Sequence, residues 1–171
     1  MTKAYLIGIL HDATERKYTY RVTQNDESFI YFITAMIRKM GYNAWIYREG
    51  KSRNVYVVEF SKFILRDAKI ETRQNKIDYV RGYFDAEGSV PKKPGARMYI
   101  YFAQKDKKDL EEVCSFLTEL GIKCGKIHNP SKKNDPCYWR FFVRCESYRD
   151  FAYLIGSNHP RKKQVLEMVI P

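Results

Sequence analysis

A glycine inside an otherwise strong apolar helix constrains this chain more than any other feature. In the run Ile77-Asp-Tyr-Val-Arg-Gly-Tyr-Phe-Asp-Ala-Glu87, Ile77, Val80, Tyr83 and Phe84 fall at helical spacing. Gly82 interrupts that run, where a glycine costs about 1 kcal/mol against alanine. A glycine kept there points to a second backbone packed against it. Asn75 is a candidate cap for the start of the helix. Glu87 ends it, just before Gly88 and a β-like run. A carboxylate at that end is disfavoured by the helix dipole. Something positive should compensate it, and a bound cation would. The plainer reading is a surface helix with an acidic end and a glycine stop.

A second, looser copy opens the chain: Ala4-Tyr-Leu-Ile-Gly-Ile-Leu-His-Asp-Ala-Thr14. It has an apolar run, a mid-run glycine (Gly8) and a carboxylate (Asp12) before a small residue. Two such helices packed glycine to glycine would bring Asp12 and Glu87 to a common point. The copies differ in spacing, four residues from Gly8 to Asp12 against five from Gly82 to Glu87. Aligned from the right, Asp12-Ala-Thr14 matches Glu87-Gly-Ser89; aligned from Gly8, Ala13 takes the acidic place. The right-hand alignment is preferred, because chemistry needs the carboxylate.

The duplication extends well beyond the motifs. Lys17 to Gln24 and Arg97 to Gln104 both alternate as strands. With Gln24 set against Gln104, the next seventeen residues run without a gap to Gly41 and Gly121. Both intervals read as amphipathic helices, with Ile30, Ile33, Ile37 and Met40 matching Leu110, Val113, Leu117 and Leu120. Asp26 and Asp106 stand where they can cap, and Gly41 and Gly121 are the expected stops. Two strands follow in each half: Asn43–Arg48 and Asn54–Phe60, joined around Glu49-Gly-Lys51, then Ile122–His128 and Tyr138–Cys145. The second connection, residues 129–136, is polar and bracketed by prolines. Helix closes each half, over Ser61–Ile70 and over Tyr148–Ile155 plus Arg161–Val169. The expected divisions are 1–65, a charged connecting segment 66–75 that lacks glycine and proline, and 76–171. Only Ala13–Arg16 is left for the first hairpin strand, which must be abbreviated. The repeated order predicts an α+β fold of two halves related by a pseudo-two-fold axis, with the motif helices at that axis.

Strand side chains alternate between faces. Met98, Ile100 and Phe102 form an apolar face, matched by Tyr18, Tyr20 and Val22. Arg97, Tyr99 and Tyr101 form the open one, matched by Lys17, Thr19, Arg21 and Thr23. The net charge of +11 makes polyanions the natural partners. No apolar stretch approaches a membrane span and no cleavable signal is seen, so the expected location is intracellular. That means cytoplasmic in a prokaryote or archaeon, with an organelle as the alternative. Cys114, Cys124, Cys137 and Cys145 form no C-x-x-C pair and do not cluster with His11, His128 or His159, which argues against structural zinc.

Val80-Arg-Gly-Tyr-Phe-Asp-Ala-Glu-Gly88 resembles the nine-residue motif of the LAGLIDADG homing endonucleases. Gly82, Asp85, Ala86 and Gly88 fit it, and Glu87 takes the metal-binding acidic position. The resemblance implies a monomer with an internal pseudo-dimer: two αββαββα-type halves whose antiparallel sheets form a DNA-binding saddle. It implies a site-specific endonuclease that cuts both strands of duplex DNA across the minor groove and leaves short 3′ overhangs. Magnesium, with manganese as substitute, would be held by Asp12 and Glu87, with the backbone carbonyls of His11 and Ala86 adding oxygens. Gln24 and Gln104 match polar positions near the family's active sites and could orient water. Lys17 or Lys92, with Lys93 as the alternative to Lys92, could polarise that water or simply contact phosphate. On the open sheet faces Lys17, Thr19, Arg21, Arg97, Tyr99, Tyr101 and Arg140 are candidate DNA contacts, since the major groove admits a β-ribbon. Two other readings stand beside the enzyme: an RNA-binding maturase acting on a host intron, and a non-cleaving DNA-binding regulator.

Overall fold

The computed structural model describes residues 1–50, 54–93 and 95–170. Its centre is a pair of helices, α1 (Lys3–Ile9) and α3 (Arg73–Glu87), packed backbone to backbone. A Cβ on Gly8 would stand 2.2 Å from the Tyr79 carbonyl oxygen, and one on Gly82 would stand 2.1 Å from that of Tyr5. Only glycine admits such an approach, so the cost in helix propensity is explained by packing.

Around this pair each half lays a sheet and a covering helix. The first half adds β1 (Ala13–Glu15), β2 (Thr19–Gln24), α2 (Glu27–Lys39), β3 (Ala44–Arg48) and β4 (Tyr56–Ser61). Its strands form an antiparallel sheet in the order β1-β2-β4-β3. The second half adds β5 (Gly88–Ser89), β6 (Tyr101–Gln104), α4 (Lys107–Glu119) and β7 (Trp139–Phe142), in the sheet order β5-β6-β7. Then come α5 (Tyr148–Leu154) and α6 (Pro160–Glu167). Asp26 caps α2 through the Phe29 N–H, and Asp106 caps α4 through the Lys108 N–H. Gly41 and Gly121 follow at φ 84° and 87°, left-handed stops that end both helices alike. Val22, Ile30, Ile33, Ile37, Val58 and Phe60 build the first core with Tyr5, Leu6 and Ile9 of α1. Val80, Phe84, Phe102, Leu110, Val113 and Phe141 build the second.

Several elements depart from the sequence expectation. Thr72, not Asn75, caps α3: its hydroxyl accepts the Asn75 N–H at 3.1 Å, and the helix starts at Arg73 inside the expected connecting segment. The strand expected from Arg97 is regular only from Tyr101, because its neighbour β5 ends at Ser89 and the chain leaves the sheet at Pro91, which has no N–H to give. The strand expected over Ile122–His128 is reduced to two bridges, Cys124 to Val143 and His128 to Arg140. Between these bridges three residues on one side oppose two on the other, so the ladder carries a bulge. The helix expected over Ser61–Ile70 is a single 3₁₀ turn, Lys62–Leu65. Ile64 is its one buried anchor, in the first core, whereas Ile70 packs against the second core, so the chain crosses between the halves here instead of continuing as helix. Tyr18, expected on the apolar face, is 70% exposed in the turn before β2. The β3–β4 turn expected around Glu49-Gly50-Lys51 runs beyond the described residues.

Candidate active site

The two motif helices end side by side, and the spacing difference between them disappears in the geometry. α3 stays α-helical to Glu87, whereas α1 stops at Ile9 and tightens into a 3₁₀ turn over Leu10–Asp12. Five α-helical steps, or one α-helical and three 3₁₀ steps, both advance about 7.5 Å along an axis. The shorter copy therefore brings Asp12 as far as the longer brings Glu87, while Ala13 has already entered β1.

The surroundings repeat as well. Gln24 Nε2 donates to Asp12 Oδ2 at 3.1 Å, and Gln104 Nε2 donates to Glu87 Oε1 at 3.1 Å. Each glutamine is the last residue of its strand, β2 or β6. Both carboxyls titrate above their ordinary values. For Asp12 the cause is loss of hydration, offset by Lys162 and Gln24. For Glu87 it is loss of hydration and then the charge of Asp12, offset by Gln104 and Lys162. Asp12 opens into a cleft of about 710 Å³ whose walls include Gln24, Ala86, Lys92 and Lys162. Glu87 opens into a second cleft of about 400 Å³ with Gln104, Tyr101 and Tyr138, and Ser89 borders both.

Sequence reasoning missed Lys162. It is only 5% exposed, and its Nζ donates to the carbonyls of Phe84 and Asp85 at 2.7 and 2.8 Å. These are carbonyls of the last turn of α3, where a cation is favoured. Burial pulls its pKa down to about 8, against the pull of Asp85, Glu87 and Asp12. The positive charge expected beside Glu87 is thus supplied in part by the protein. Asp85, which the sequence marks only as fitting the motif, is 1% exposed and fully engaged. Tyr5 Oη donates to it at 2.6 Å, the Asn158 N–H at 3.0 Å, and the Ser157 hydroxyl bonds it closely. It fastens the segment leading into α6 across the motif helix. Nothing local in Ser157–Lys162 signals this; the partners lie more than seventy residues apart in sequence.

The other expected residues divide. Ala86 and Lys92 line the Asp12 cleft, whereas Lys93 lines a neighbouring apolar groove with Met98 and Val165. Lys17 is in the β1–β2 turn with its ammonium over the Tyr18 ring, outside both clefts. The His11 ring turns away to Asp109 Oδ2 (3.1 Å) and Tyr79 Oη (3.0 Å). Arg21 pairs with Glu49 at 2.6 Å and Thr19 donates to Glu59 at 2.5 Å. Tyr99 stacks on Tyr101, and Arg140 lies over Tyr101 and Phe142. Arg97 is exposed and outside the regular strand. Among the described residues no group of three or more His, Cys, Asp or Glu converges to hold a metal.

Two glycine-packed helices, each ending in a carboxylate beside a strand-end glutamine, define a duplicated α+β protein with one composite acidic site. Comparison with known proteins agrees. Residues 74–156 match the model of a LAGLIDADG-like domain, and residues 6–66 match that of the WhiA LAGLIDADG-like domain. The homing endonuclease I-ApeI of Aeropyrum pernix is 24% identical over 97% of this chain and 86% of its own length. The structure of I-DmoI in complex with DNA and Mn superposes with a TM-score of 0.68 at 20% identity, over 92% of this chain and 97% of that one. The N-terminal LAGLIDADG domain of DUF199/WhiA gives 0.68 at 11% identity, over 90% and 79%. The chain belongs to the LAGLIDADG family, with one LAGLIDADG-like domain in each half.

Proposed function

We propose that the protein is a site-specific DNA endonuclease of the homing type, cutting both strands with a divalent cation, magnesium or in its place manganese. The observation that carries this is the pairing of Asp12 and Glu87 at the two helix ends, each held by an equivalent glutamine. I-ApeI is named a homing endonuclease, and I-DmoI has been captured with DNA and Mn or Ca. The donor set fits a hard cation: two carboxylates within mutual electrostatic reach and, among the described residues, no histidine or cysteine cluster beside them. Such an ion keeps waters and substrate phosphate oxygens in its shell. Asp12 and Glu87 would hold it, with the His11 and Ala86 carbonyls as further oxygens.

A bound cation there would polarise water and offset charge developing on the phosphate. Gln24 and Gln104 fix the two carboxylates by donating one N–H each; the Gln24 amide oxygen is left to orient a water, whereas that of Gln104 already accepts the Lys105 N–H at 2.7 Å. Lys162 keeps positive charge at the base of the site, and Lys92 in the cleft wall meets phosphate. With the sheets seated in major-groove turns on either side, the helix ends face the minor groove between them. The nearest phosphates across that groove are offset toward 3′, so the products carry short 3′ overhangs. Binding draws on the +11 charge and weakens steeply with salt as counterions are released.

The test is incubation of the full chain with a plasmid library of random inserts, in magnesium and in EDTA. Linear product with a shared end sequence and 3′ overhangs, formed only with magnesium, is expected. Specific duplex binding with no cutting in magnesium or manganese would replace the enzyme with a regulator. Binding confined to folded RNA would replace it with a maturase.

A further inference from the structure

The open face of the first sheet holds a carboxylate where a DNA-binding protein has most reason to avoid one. Strand register places Thr14, Arg21, Glu59 and Trp45 in one row across the four strands, with Thr23, Val57 and Tyr47 in the next. Glu59 is at the centre of this face. Thr19 Oγ1 donates to its Oε1 at 2.5 Å and Tyr47 Oη donates to its Oε2 at 2.9 Å, while Arg16 stands 3.7 Å away. The nearest cation in its row, Arg21, is instead drawn to Glu49 at 2.6 Å. Two hydroxyl donors therefore fix the carboxylate, yet each oxygen accepts one neutral bond and keeps a lone pair free. The second sheet differs. Ser89, Tyr101, Ala103, Arg140 and Phe142 form its corresponding face, and none is acidic.

We propose that Glu59 reads a base: laid in the major groove, its carboxylate accepts a hydrogen bond from the exocyclic amino group of a cytosine. This rests on the endonuclease reading above, and specifically on the sheet as its DNA-binding face. A carboxylate is repelled by phosphate, so the contact it can make with DNA from this face is to a groove donor. Cytosine N4 and adenine N6 are the two donors in the major groove. Adenine N6 is flanked by acceptors on both sides, its own N7 and the O4 of the paired thymine. Cytosine N4 has an acceptor on one side only, the O6 of the paired guanine, so cytosine is preferred. Thymine or guanine at that place would set an acceptor against a desolvated carboxylate. Much of the discrimination is therefore rejection of wrong bases. Among the described residues the second sheet has no acidic counterpart on this face, so the cytosine preference belongs to one half-site only.

The experiment is selection from a randomised duplex library in EDTA, with the full wild-type chain and with Glu59→Gln. Wild type should enrich cytosine over thymine at one half-site position by about 5- to 150-fold, the range of a good base contact. Glutamine pairs with adenine N6 and N7, so Glu59→Gln should shift that one position from cytosine to adenine and leave the others alone. Tyr47→Phe keeps the carboxylate but frees one oxygen; it should retain cytosine with a smaller ratio, and it decides the matter if Glu59→Gln fails to fold. Unchanged preferences in folded variants overturn the proposal. So does a weakening spread evenly over all positions, which is what a purely structural Glu59 would produce. A wild-type chain that enriches no sequence overturns the DNA reading itself, and this proposal with it.

Discussion

Replacing Gly82 with alanine sets two physical arguments against each other with opposite signs. Helix propensity favours the change by about 1 kcal/mol in an exposed helix interior. The packing opposes it. The new Cβ would lie 2.1 Å from the Tyr5 carbonyl oxygen, 3.0 Å from its carbon and 3.2 Å from the Ile9 nitrogen. All three are backbone atoms and cannot rotate away, so α1 and α3 must part by about 1 Å to restore contact distance. A gap of that size forfeits a quarter to a half of the dispersion energy across the seam, and overpacked cores generally lose about 1–3 kcal/mol or more. The upper end applies, because the seam joins both cores. We expect a net loss of about 3 kcal/mol, read as a fall in melting temperature of about 6–12 °C for a chain of this size. Gly41→Ala is the control: its φ is +84° with nothing within 4 Å of the added carbon, so it carries only the left-handed backbone cost of about 1–2 kcal/mol. The double variant Gly8→Ala, Gly82→Ala should lose less than the two singles together, since one separation accommodates both carbons. Thermal and urea denaturation of wild type, the three single variants and the double variant measure this. A Gly82→Ala protein that melts with or above wild type would refute the reasoning.

Asp12→Asn and Glu87→Gln should leave metal-free stability equal or higher at pH 7 while cleavage falls by orders of magnitude. Both native carboxyls are raised, so the fold penalises their charged forms above the folded pKa, and the difference from wild type should vanish below about pH 4. If Asp12→Asn cuts both strands at the normal rate, the site is not built on Asp12. For Lys162 the sign runs the other way along the pH axis. Its pKa is about 8 when folded and about 10.4 when unfolded. The burden of the buried ammonium is thus complete below pH 8 and is relieved as pH rises toward 10.4. Wild type should gain stability over that window relative to Lys162→Met, and parallel stability–pH curves for the two would contradict the assignment.

The sequence carried those parts of the fold that repeat or obey a local period. The glycine seam, the aspartate caps of α2 and α4 and their glycine stops were legible because each is a short-range rule acting twice. Asp12 and Glu87 were legible as a pair for the same reason. What failed depended on distant partners. β6 is short because its neighbour leaves the sheet at Pro91, not because its own alternation lapses. The 122–128 strand loses regularity to a bulge that only pairing against 140–143 defines. Lys17 was favoured by its distance from Asp12 in sequence, but β1 carries it away from the cleft. Lys162 was invisible because it reaches the site only through the return of α6.

That return also explains why a duplicated chain need not have a symmetric site. Counting back from the carboxylates, Asp85 corresponds to Leu10, so only the second motif has a buried acid at that place. Tyr5 Oη reaches this acid from the other half, and the Ser157 hydroxyl and Asn158 N–H reach it from the segment before α6. Three pieces of chain are thereby fixed on one carboxylate, and Lys162 follows four residues after Asn158 onto the carbonyls of Phe84 and Asp85. The end of α3 is consequently clamped from within, whereas the 3₁₀ turn that carries Asp12 is held by its side chains, Gln24 on Asp12 and Tyr79 and Asp109 on the His11 ring. An acid–hydroxyl–amide lock of this kind loses more when one partner is removed than its net bonds suggest, because the remaining buried groups are left unpaired. The two ends are thus held by different means: the second motif by a buried acid of its own, the first by the glycine seam and by His11, which bonds residues of α3 and α4.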